Sequence, residues 1–208
     1  MPSRDYHEEL WAAVPEGAVG PGLQVRRGFL LGLLSPGMRV LDVGCGEGIL
    51  AGELRRAGAD VLAVDVAEEP LRRARLREPG LDARLIDGEG TWDLPDAHFD
   101  LLWAGEVIEH VADTAKWLSE ARRVLRPRGT LALSTPDNGP LTLVALALSP
   151  RARAERLDPR SDHLRFYTRA SLAGLIGEFG FEAVRVSAVG GVPGARRTLL
   201  ASATRSRF

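Results

Sequence analysis

The sequence has a single cysteine, no long apolar run and no excess of positive charge, and each absence excludes a class of protein. One cysteine cannot form an internal disulfide, so a disulfide-stabilised fold is excluded. The longest apolar run, 141–148, is far shorter than the roughly 20 residues that span a bilayer. A net charge of −1 gives no sign of the basic surface that nucleic acids require. We therefore expect neither a transmembrane segment nor a nucleic-acid partner.

The remaining composition is that of an ordinary globular protein. The 208 residues are 45% hydrophobic and 26% charged, which is sufficient for one sizeable core. The first residues lack the basic-then-apolar layout of a signal peptide. We expect a protein of the reducing cytoplasm.

Three alternating glycines follow a short apolar segment and precede a helical pattern. Val40–Val43 leads directly into Gly44, Gly46 and Gly48. Glycines let a ligand approach the backbone closely, and the helix that follows offers unpaired N–H groups. A dinucleotide fingerprint would place its third glycine at position 49, which is Ile49. The loop therefore predicts a cofactor site, and NAD remains a less well matched alternative.

The pattern Asp-x-Gly-x-Gly-x-Gly over 42–48 resembles motif I of the class I S-adenosylmethionine (SAM) methyltransferases. Three further sequence features typical of that family follow in the same order. They are Asp65 at the end of the apolar segment 61–65, Asp87 in Leu85–Gly88, and the apolar segment 99–104. The resemblance implies SAM as cofactor, S-adenosylhomocysteine as product and a small-molecule acceptor. It implies that Asp42 faces the methionine end of SAM, that Asp65 binds the ribose and that Asp87 contacts the adenine. The implied cofactor-binding residues are Asp42, Gly44, Cys45, Gly46, Gly48, Asp65, Val66, Asp87 and Gly88.

Hydrophobic periodicity predicts alternating strands and helices. Strands are expected at 39–43, 60–65, 82–86, 99–104 and 130–135, and helices at 48–57, 68–77, 113–126 and 169–179. Two strands, 181–189 and 197–203, then follow without an intervening helix. We therefore predict an α/β fold of the Rossmann-like, seven-stranded class I methyltransferase type. Its sheet would be mostly parallel with an antiparallel last strand, and helices would cover both faces.

The chain is expected to divide into a helical preface at 1–37 and a methyltransferase domain at 38–208. Within that domain, 136–162 is longer than a usual connection, combining the apolar run with Arg151, Arg153, Arg156 and Arg160. We predict a lid that selects the acceptor, with a membrane-surface contact, a homodimer contact and simple packing as alternatives. Trp92, Trp103, Phe166 and Tyr167 are candidate pocket residues, and Tyr6 and Trp11 are candidates for closing over the cofactor.

A cluster of acids and histidines follows the fourth strand. If 106–110 is helical, Glu106, Glu109 and His110 lie on one face, and His163 offers a further ligand. The set resembles that of metal-dependent small-RNA terminal 2′-O-methyltransferases and of ubiquinone-pathway O-methyltransferases. This implies a Mg²⁺ or other divalent metal site formed by Glu106, Glu109, His110 and His163, with Glu109, His110 and His163 as catalytic residues. Without metal, His110 or His163 would act as general base.

The acids and histidines favour methyl transfer to oxygen. N- or C-methylation of a small molecule, an NAD-dependent oxidoreductase and a non-catalytic SAM-binding partner are the alternatives. Cys45 lies near a helix N-terminus, where a thiol can become nucleophilic, but we interpret it as a small filler in the loop.

Overall fold

The computed structural model describes residues 4–20, 22–88, 90–156, 158, 161–191 and 197–207. Two helices, α1 (Arg4–Ala13) and α2 (Leu23–Leu31), precede the first strand. The remaining helices are α3 (Ile49–Arg56), α4 (Glu68–Arg77), α5 (Thr114–Val124), α6 (Pro140–Leu148), α7 (Pro150–Arg156) and α8 (Arg169–Glu178). The strands are β1 (Arg39–Val43), β2 (Asp60–Asp65), β3 (Asp82–Leu85), β4 (Phe99–Gly105), β5 (Leu125–Pro136), β6 (Phe181–Val189) and β7 (Thr198–Arg205).

The seven strands form one sheet in the order β3-β2-β1-β4-β5-β7-β6. Strands β1 to β5 are mutually parallel, whereas β7 runs antiparallel to both of its neighbours, β5 and β6. The strand order reverses between β1 and β4, so a crevice is expected beyond their carboxyl ends. The predicted seven-stranded fold with its antiparallel last strand is confirmed.

Helices cover both faces of the sheet, as predicted. Alternate residues of β1 point to opposite sides, so that Leu41 and Val43 pack into one apolar cluster and Val40 into the other. The first cluster includes buried side chains of α5 and α8, and the second includes those of α2, α3 and α4. The site described below therefore stands on a sheet packed on both faces.

Helix α5 is shorter than the sequence predicts. Asp113 caps its N-terminus by accepting a hydrogen bond from the Lys116 backbone N–H (2.9 Å), and the helix ends at Val124 rather than at 126. Arg126–Gly129 belongs to β5, where the register with β4 shifts and Arg128 has a positive φ. Among the described residues, no helix has the length and apolar character needed to cross a membrane.

Candidate active site and cofactor cavity

The loop between β1 and α3 is built around glycines that a larger residue could not replace. Gly44 has a φ of 68°, and a Cβ at this position would lie 2.4 Å from Cγ2 of Val107. A backbone with a positive φ of this size is strained for residues other than glycine. The loop also folds back onto β2, because the N–H groups of Gly44 and Cys45 both donate to the carbonyl of Val64.

Asp65 stands at the end of β2, next to the glycine loop. Its carboxylate accepts hydrogen bonds from the backbone N–H of Gly46 (3.0 Å) and of Ala67 (3.2 Å). Burial raises the pKa of Asp65 to about 6, although these hydrogen bonds oppose the shift. The side chain is thus held in a fixed orientation at the carboxyl edge of the sheet.

Asp42 lies deeper, inside β1. Its side chain is buried, and Oδ2 has no hydrogen-bond partner among the described residues. Burial, together with the charge of Asp65, raises the pKa of Asp42 to about 7. The group is therefore partly protonated near neutral pH.

A cavity of about 720 Å³ lies beyond the carboxyl ends of the strands. Five of the predicted cofactor-binding residues line it: Gly44, Asp65, Val66, Asp87 and Gly88. The other four, Asp42, Cys45, Gly46 and Gly48, are not among the described residues that form its wall. Burial raises the pKa of the Cys45 thiol, which supports its interpretation as a filler.

Helix α1 covers this cavity. The residues that it and the following turn contribute to the wall are Arg4, His7, Leu10, Trp11 and Val14. Trp11 lies against the glycine loop, since a Cβ at Gly46 would be 2.9 Å from Cη2 of its indole. Tyr6, the other candidate for this role, is not among the described residues of the wall and packs edge-on against His7.

Polar contacts tie the first half of α1 to the start of α4. The carboxylate of Glu8 accepts hydrogen bonds from the backbone N–H groups of Glu68 (2.6 Å) and Glu69 (3.0 Å). These are orphan donors of the first turn of α4, where a negative group is favoured by the helix dipole. Glu8 therefore acts as a cap supplied from another helix.

Arg73 of α4 holds the other end of α1. Its guanidinium donates to the carbonyls of Trp11 and Val14, both at 2.8 Å, and to Oε1 of Glu47 at 3.0 Å. Glu47 belongs to the glycine loop, and it also accepts from the backbone N–H of Gly17 (2.9 Å). No residue of α1 is fully buried, so these hydrogen bonds add to the packing of Trp11 in holding the helix over the cavity.

The segment 106–110 is a turn and not a helix. Glu106 has a φ of 58°, which is incompatible with an α-helix, and the N–H of His110 bonds back to the carbonyl of Val107 (2.9 Å). The helical spacing from which we predicted convergence therefore does not apply here. The turn brings Glu109 and His110 together without Glu106.

Glu109, His110 and His163 form the cluster that results. Each offers one ligand atom, and these atoms lie within 4.8 Å of one another. Glu109 is buried, with Oε2 accepting from Thr135 Oγ1 (2.9 Å) and Oε1 lacking a partner among the described residues. Burial first, and then the charge of Glu106, raise the pKa of Glu109 to about 7.

Asp162 orients His110. Nδ1 of the ring lies 3.2 Å from Oδ2 of Asp162 and 3.1 Å from its carbonyl oxygen. Burial lowers the pKa of His110, but the hydrogen bond to Asp162 and the nearby carboxylates outweigh it, so the net shift is upward. The His163 ring packs edge-on against His110 with centroids 4.8 Å apart. Nε2 of His110 is left on the side of Glu109, at 4.0 Å from Oε1.

Glu106, the fourth predicted metal ligand, lies outside this cluster. Its Oε1 accepts a hydrogen bond from Ser134 Oγ (2.7 Å) and lies 3.4 Å from Nη1 of Arg26. The positive φ turns its side chain toward β5 and α2. Glu106 still lines the cavity, next to the cluster rather than within it.

The candidate pocket aromatics fall into two groups. Trp92 lines the cavity and packs edge-on against Trp117 (5.7 Å between centroids), which lines it as well. Trp103 is buried beside Phe29 on the other face of the sheet, Tyr167 is buried in the core, and Phe166 is 44% exposed. Only Trp92 of the four is among the described residues of the wall.

The predicted lid contributes little to the cavity in the described part of the chain. Of the described residues in 136–162, Asp162 alone lines it, whereas α6 and α7 do not. Arg160 lies outside the described residues. Among the described residues, those of α1 and the turn after it cover the cavity.

The contributors that were not predicted from the sequence include three charged or titratable residues: His7, Asp162 and Arg73. His7 lines the cavity near His110, and burial together with the charge of His110 lowers its pKa. None of the three belongs to a motif, and their partners are distant in the chain. Asp162 precedes His163 directly, which is the one signal by which it could have been found.

Comparisons with known proteins show which proteins this chain resembles. A family model described as "Methyltransferase domain" matches residues 23–186. A ubiquinone biosynthesis O-methyltransferase from Azorhizobium caulinodans is 37% identical over 151 residues, covering 70% of this chain and 59% of that protein. One from Xanthomonas axonopodis pv. citri is 34% identical over 191 residues, covering 88% and 80% respectively.

The fold is likewise shared with solved structures. A SAM-dependent methyltransferase from Mesorhizobium loti superposes with a TM-score of 0.72 at 22% identity, covering 89% of this chain and 98% of that one. The chain thus spans nearly the whole of that structure but only about three fifths of the Azorhizobium relative.

Proposed function

This chain belongs to the SAM-dependent methyltransferase family, and from that premise we propose that it methylates a hydroxyl oxygen of a small molecule. The observation that carries the proposal is the continuity of the cavity. One wall contains Asp65 and Asp87, and the same cavity extends to His110 and Asp162. A cofactor held at one end would thus meet an acceptor held among titratable groups at the other.

The residues of the cofactor end fit SAM. Val66 packs against Gly88 so closely that a Cβ there would lie 2.7 Å from Val66 Cγ1, and both residues line the cavity beside Asp87. Asp65 would accept from the ribose hydroxyls and Asp87 from the adenine amino group. SAM, when bound, supplies an activated methyl group on a sulfonium. The protein contributes alignment, with α1 excluding water from above.

The cluster of Glu109, His110 and His163 fits a divalent metal ion. Oε1 of Glu109 is a buried oxygen without a partner among the described residues, and carboxylate with imidazole suits Mg²⁺, Mn²⁺, Fe²⁺ or Zn²⁺. Two ligands about 2.1 Å from one ion are at most roughly 4.2 Å apart, so the present 4.8 Å requires only a small side-chain rotation. A bound metal would lower the pKa of an acceptor hydroxyl.

Without a metal at Nε2, His110 is oriented for proton transfer. Because Nδ1 faces two oxygens of Asp162, the network assigns the proton to Nδ1 and leaves Nε2 as the acceptor. A histidine in this arrangement can take the proton from a hydroxyl while the oxygen attacks the methyl group.

Apolar residues of the acceptor end favour an aromatic or otherwise hydrophobic acceptor. Trp92, Val107, Val111 and Trp117 share the cavity with His110. The relatives named for ubiquinone biosynthesis add support for a phenolic hydroxyl, with sugar hydroxyls and carboxylates as the other acceptors to examine. N- and C-methylation remain competing reactions, whereas family membership sets aside the NAD-dependent and non-catalytic alternatives.

The proposal is tested by separating cofactor binding from turnover. Release of S-adenosylhomocysteine is measured with catechol and with an amine of similar size, with and without Mg²⁺ or a chelator. Glu109→Gln and His163→Ala should lower kcat by roughly a hundredfold or more while the Kd for SAM stays unchanged. Asp65→Ala should instead weaken SAM binding by roughly ten- to a hundredfold.

Glu182→Gln is the matched control, because Glu182 is an exposed acid on β6 that pairs only with Arg128 among the contacts described. Normal turnover of the Glu109 and His163 variants would remove the cluster from the mechanism. Methylation of the amine but not of catechol would replace O-methylation by N-methylation.

A further inference from the structure

His7 is a histidine of α1 that faces the active-site cavity. It lines the wall, as Trp11 does about one helical turn later, so both side chains lie on the inner face of the helix. The His7 ring is half-buried and packs edge-on against Tyr6, with ring centroids 5.6 Å apart. Among the described residues, its ring nitrogens have no hydrogen-bond partner. A polar group that faces a cavity without a partner is suited to binding a ligand there.

The His7 ring lies at the acceptor end of the cavity. Burial has the largest influence on the pKa of His7 and lowers it, the charge of His110 lowers it further, and the charge of Asp162 raises it. Electrostatic influence of this kind weakens with distance, so His7 lies near both groups. The inner face of α1 thus brings an imidazole close to the histidine that we propose takes the proton.

His7 is separate from the candidate metal cluster. The described groups whose ligand atoms lie within 4.8 Å of one another are Glu109, His110 and His163, and His7 is not among them. Those three belong to the turn after β4 and to the segment before α8, whereas His7 is carried by the helix that covers the cavity. An acceptor bound in the cavity would therefore have His110 on one side and His7 on another.

We propose that His7 is an acceptor-binding residue, whose ring hydrogen-bonds a second polar group of the acceptor close to the hydroxyl that is methylated. This inference rests on the proposed methylation of a hydroxyl oxygen. A neutral imidazole has one donor and one acceptor nitrogen, so it can bind a hydroxyl in either sense. The hydrogen bond fixes the orientation of the acceptor and directs the reacting oxygen toward the methyl group of SAM. An acceptor that lacks the second group leaves the imidazole unpaired and is a poorer substrate.

A comparison of catechol with phenol tests this role, because phenol lacks the second hydroxyl. For the wild type, kcat/KM for catechol should exceed that for phenol by roughly fivefold or more. His7→Leu should remove most of this preference, mainly by raising the KM for catechol. His7→Gln retains a donor and an acceptor and should keep part of the preference. Calorimetric titration of the S-adenosylhomocysteine-bound protein with catechol should give a Kd roughly fivefold higher for His7→Leu, and this measurement requires no turnover.

His98→Leu is the matched control. His98 directly precedes β4 at the amino end of the strand, away from the cavity, where it contacts Arg39 and Phe99. This variant should keep the wild-type preference for catechol. An unchanged Kd of His7→Leu for SAM shows that α1 still covers the cofactor end.

The possible outcomes separate this inference from the proposed function. Equal use of catechol and phenol by the wild type, or a preference for catechol that survives His7→Leu, overturns the role of His7 and leaves O-methylation intact. A loss of SAM affinity in His7→Leu as large as its loss of catechol affinity assigns His7 a structural role and also overturns the inference. Transfer to an amine and to neither hydroxyl contradicts O-methylation itself, and this inference with it.

Discussion

At the scale of single residues, Asp42 and Asp65 are carboxyl groups enclosed by the protein at the ends of adjacent strands. Asp65 offsets its burial with two backbone hydrogen bonds, whereas one oxygen of Asp42 has no partner among the described residues. A buried carboxyl group favours its neutral form. The glycine loop thus lies above two acids whose ionisation opposes folding in the absence of a ligand.

Substituting Asp42 by Asn tests this directly. The pKa of Asp42 is raised to about 7, so the folded protein retains a proton that the unfolded chain loses from about pH 4 upward. Its contribution to the free energy of unfolding therefore falls as the pH rises from about 4 to about 7. From about pH 5 to pH 8, the stability of Asp42→Asn relative to wild type should improve by roughly 2–3 kcal/mol. Urea titrations at both pH values measure this, and a pH-independent difference would contradict it.

At the scale of secondary-structure elements, α1 is held in the site by contacts with residues far away along the sequence. It joins the acceptor end, through His7, to the cofactor end, through Trp11. Its anchor is Arg73, which is 7% exposed and bonded at once to α1 and to Glu47 of the glycine loop. The position of α1 and the shape of the loop are therefore linked by one guanidinium.

Arg73→Gln should release α1. The variant loses the bonds to Trp11 and Val14, so the SAM Kd should rise about tenfold, equivalent to about 1.4 kcal/mol. Hydrogen exchange of peptides covering α1 should accelerate as well. Arg72→Gln is the control, because Arg72 is 48% exposed and forms surface ion pairs of small energetic value. Equal effects of the two variants would show that Arg73 is no special anchor.

The sequence predicts the elements far better than it predicts their contacts. The strands and helices of the sheet follow from hydrophobic periodicity, and most observed bounds agree within a few residues. The turn at 106–110 was not predicted, because nothing in Glu106 itself indicates a positive φ. For α1, the sequence predicts a covering role only for Tyr6 and Trp11. Its polar contacts are not predicted, because Glu8 and Arg73 bond to residues about sixty positions away in the sequence. Such pairings arise from the tertiary fold and leave no local pattern.

At the scale of the whole molecule, one sheet supports both ends of the cavity. Asp65 belongs to β2, Glu109 and His110 follow β4, and Thr135 of β5 holds Glu109. A ligand that joins the two ends therefore stabilises the entire sheet rather than one loop.

Binding of SAM should accordingly raise the thermal midpoint of the whole chain in one transition. At about a hundred times its Kd, SAM adds about 2.7 kcal/mol, or roughly 5–10 °C for a chain of this size. Scanning calorimetry measures the shift, and Asp65→Ala should shrink it at the same SAM concentration. Two separate transitions, with only one moved by SAM, would contradict a single cooperative unit.

Because α1 covers the cavity, its movement bears on the rate at which the product leaves. A helix that covers the cavity also lies over the exit of S-adenosylhomocysteine, so we expect it to move aside when the product leaves. Because hydrogen bonds and no fully buried side chain hold it, we expect this opening to contribute to the rate of turnover. The strength of the Arg73 anchor is then a compromise between holding SAM and letting the spent cofactor go.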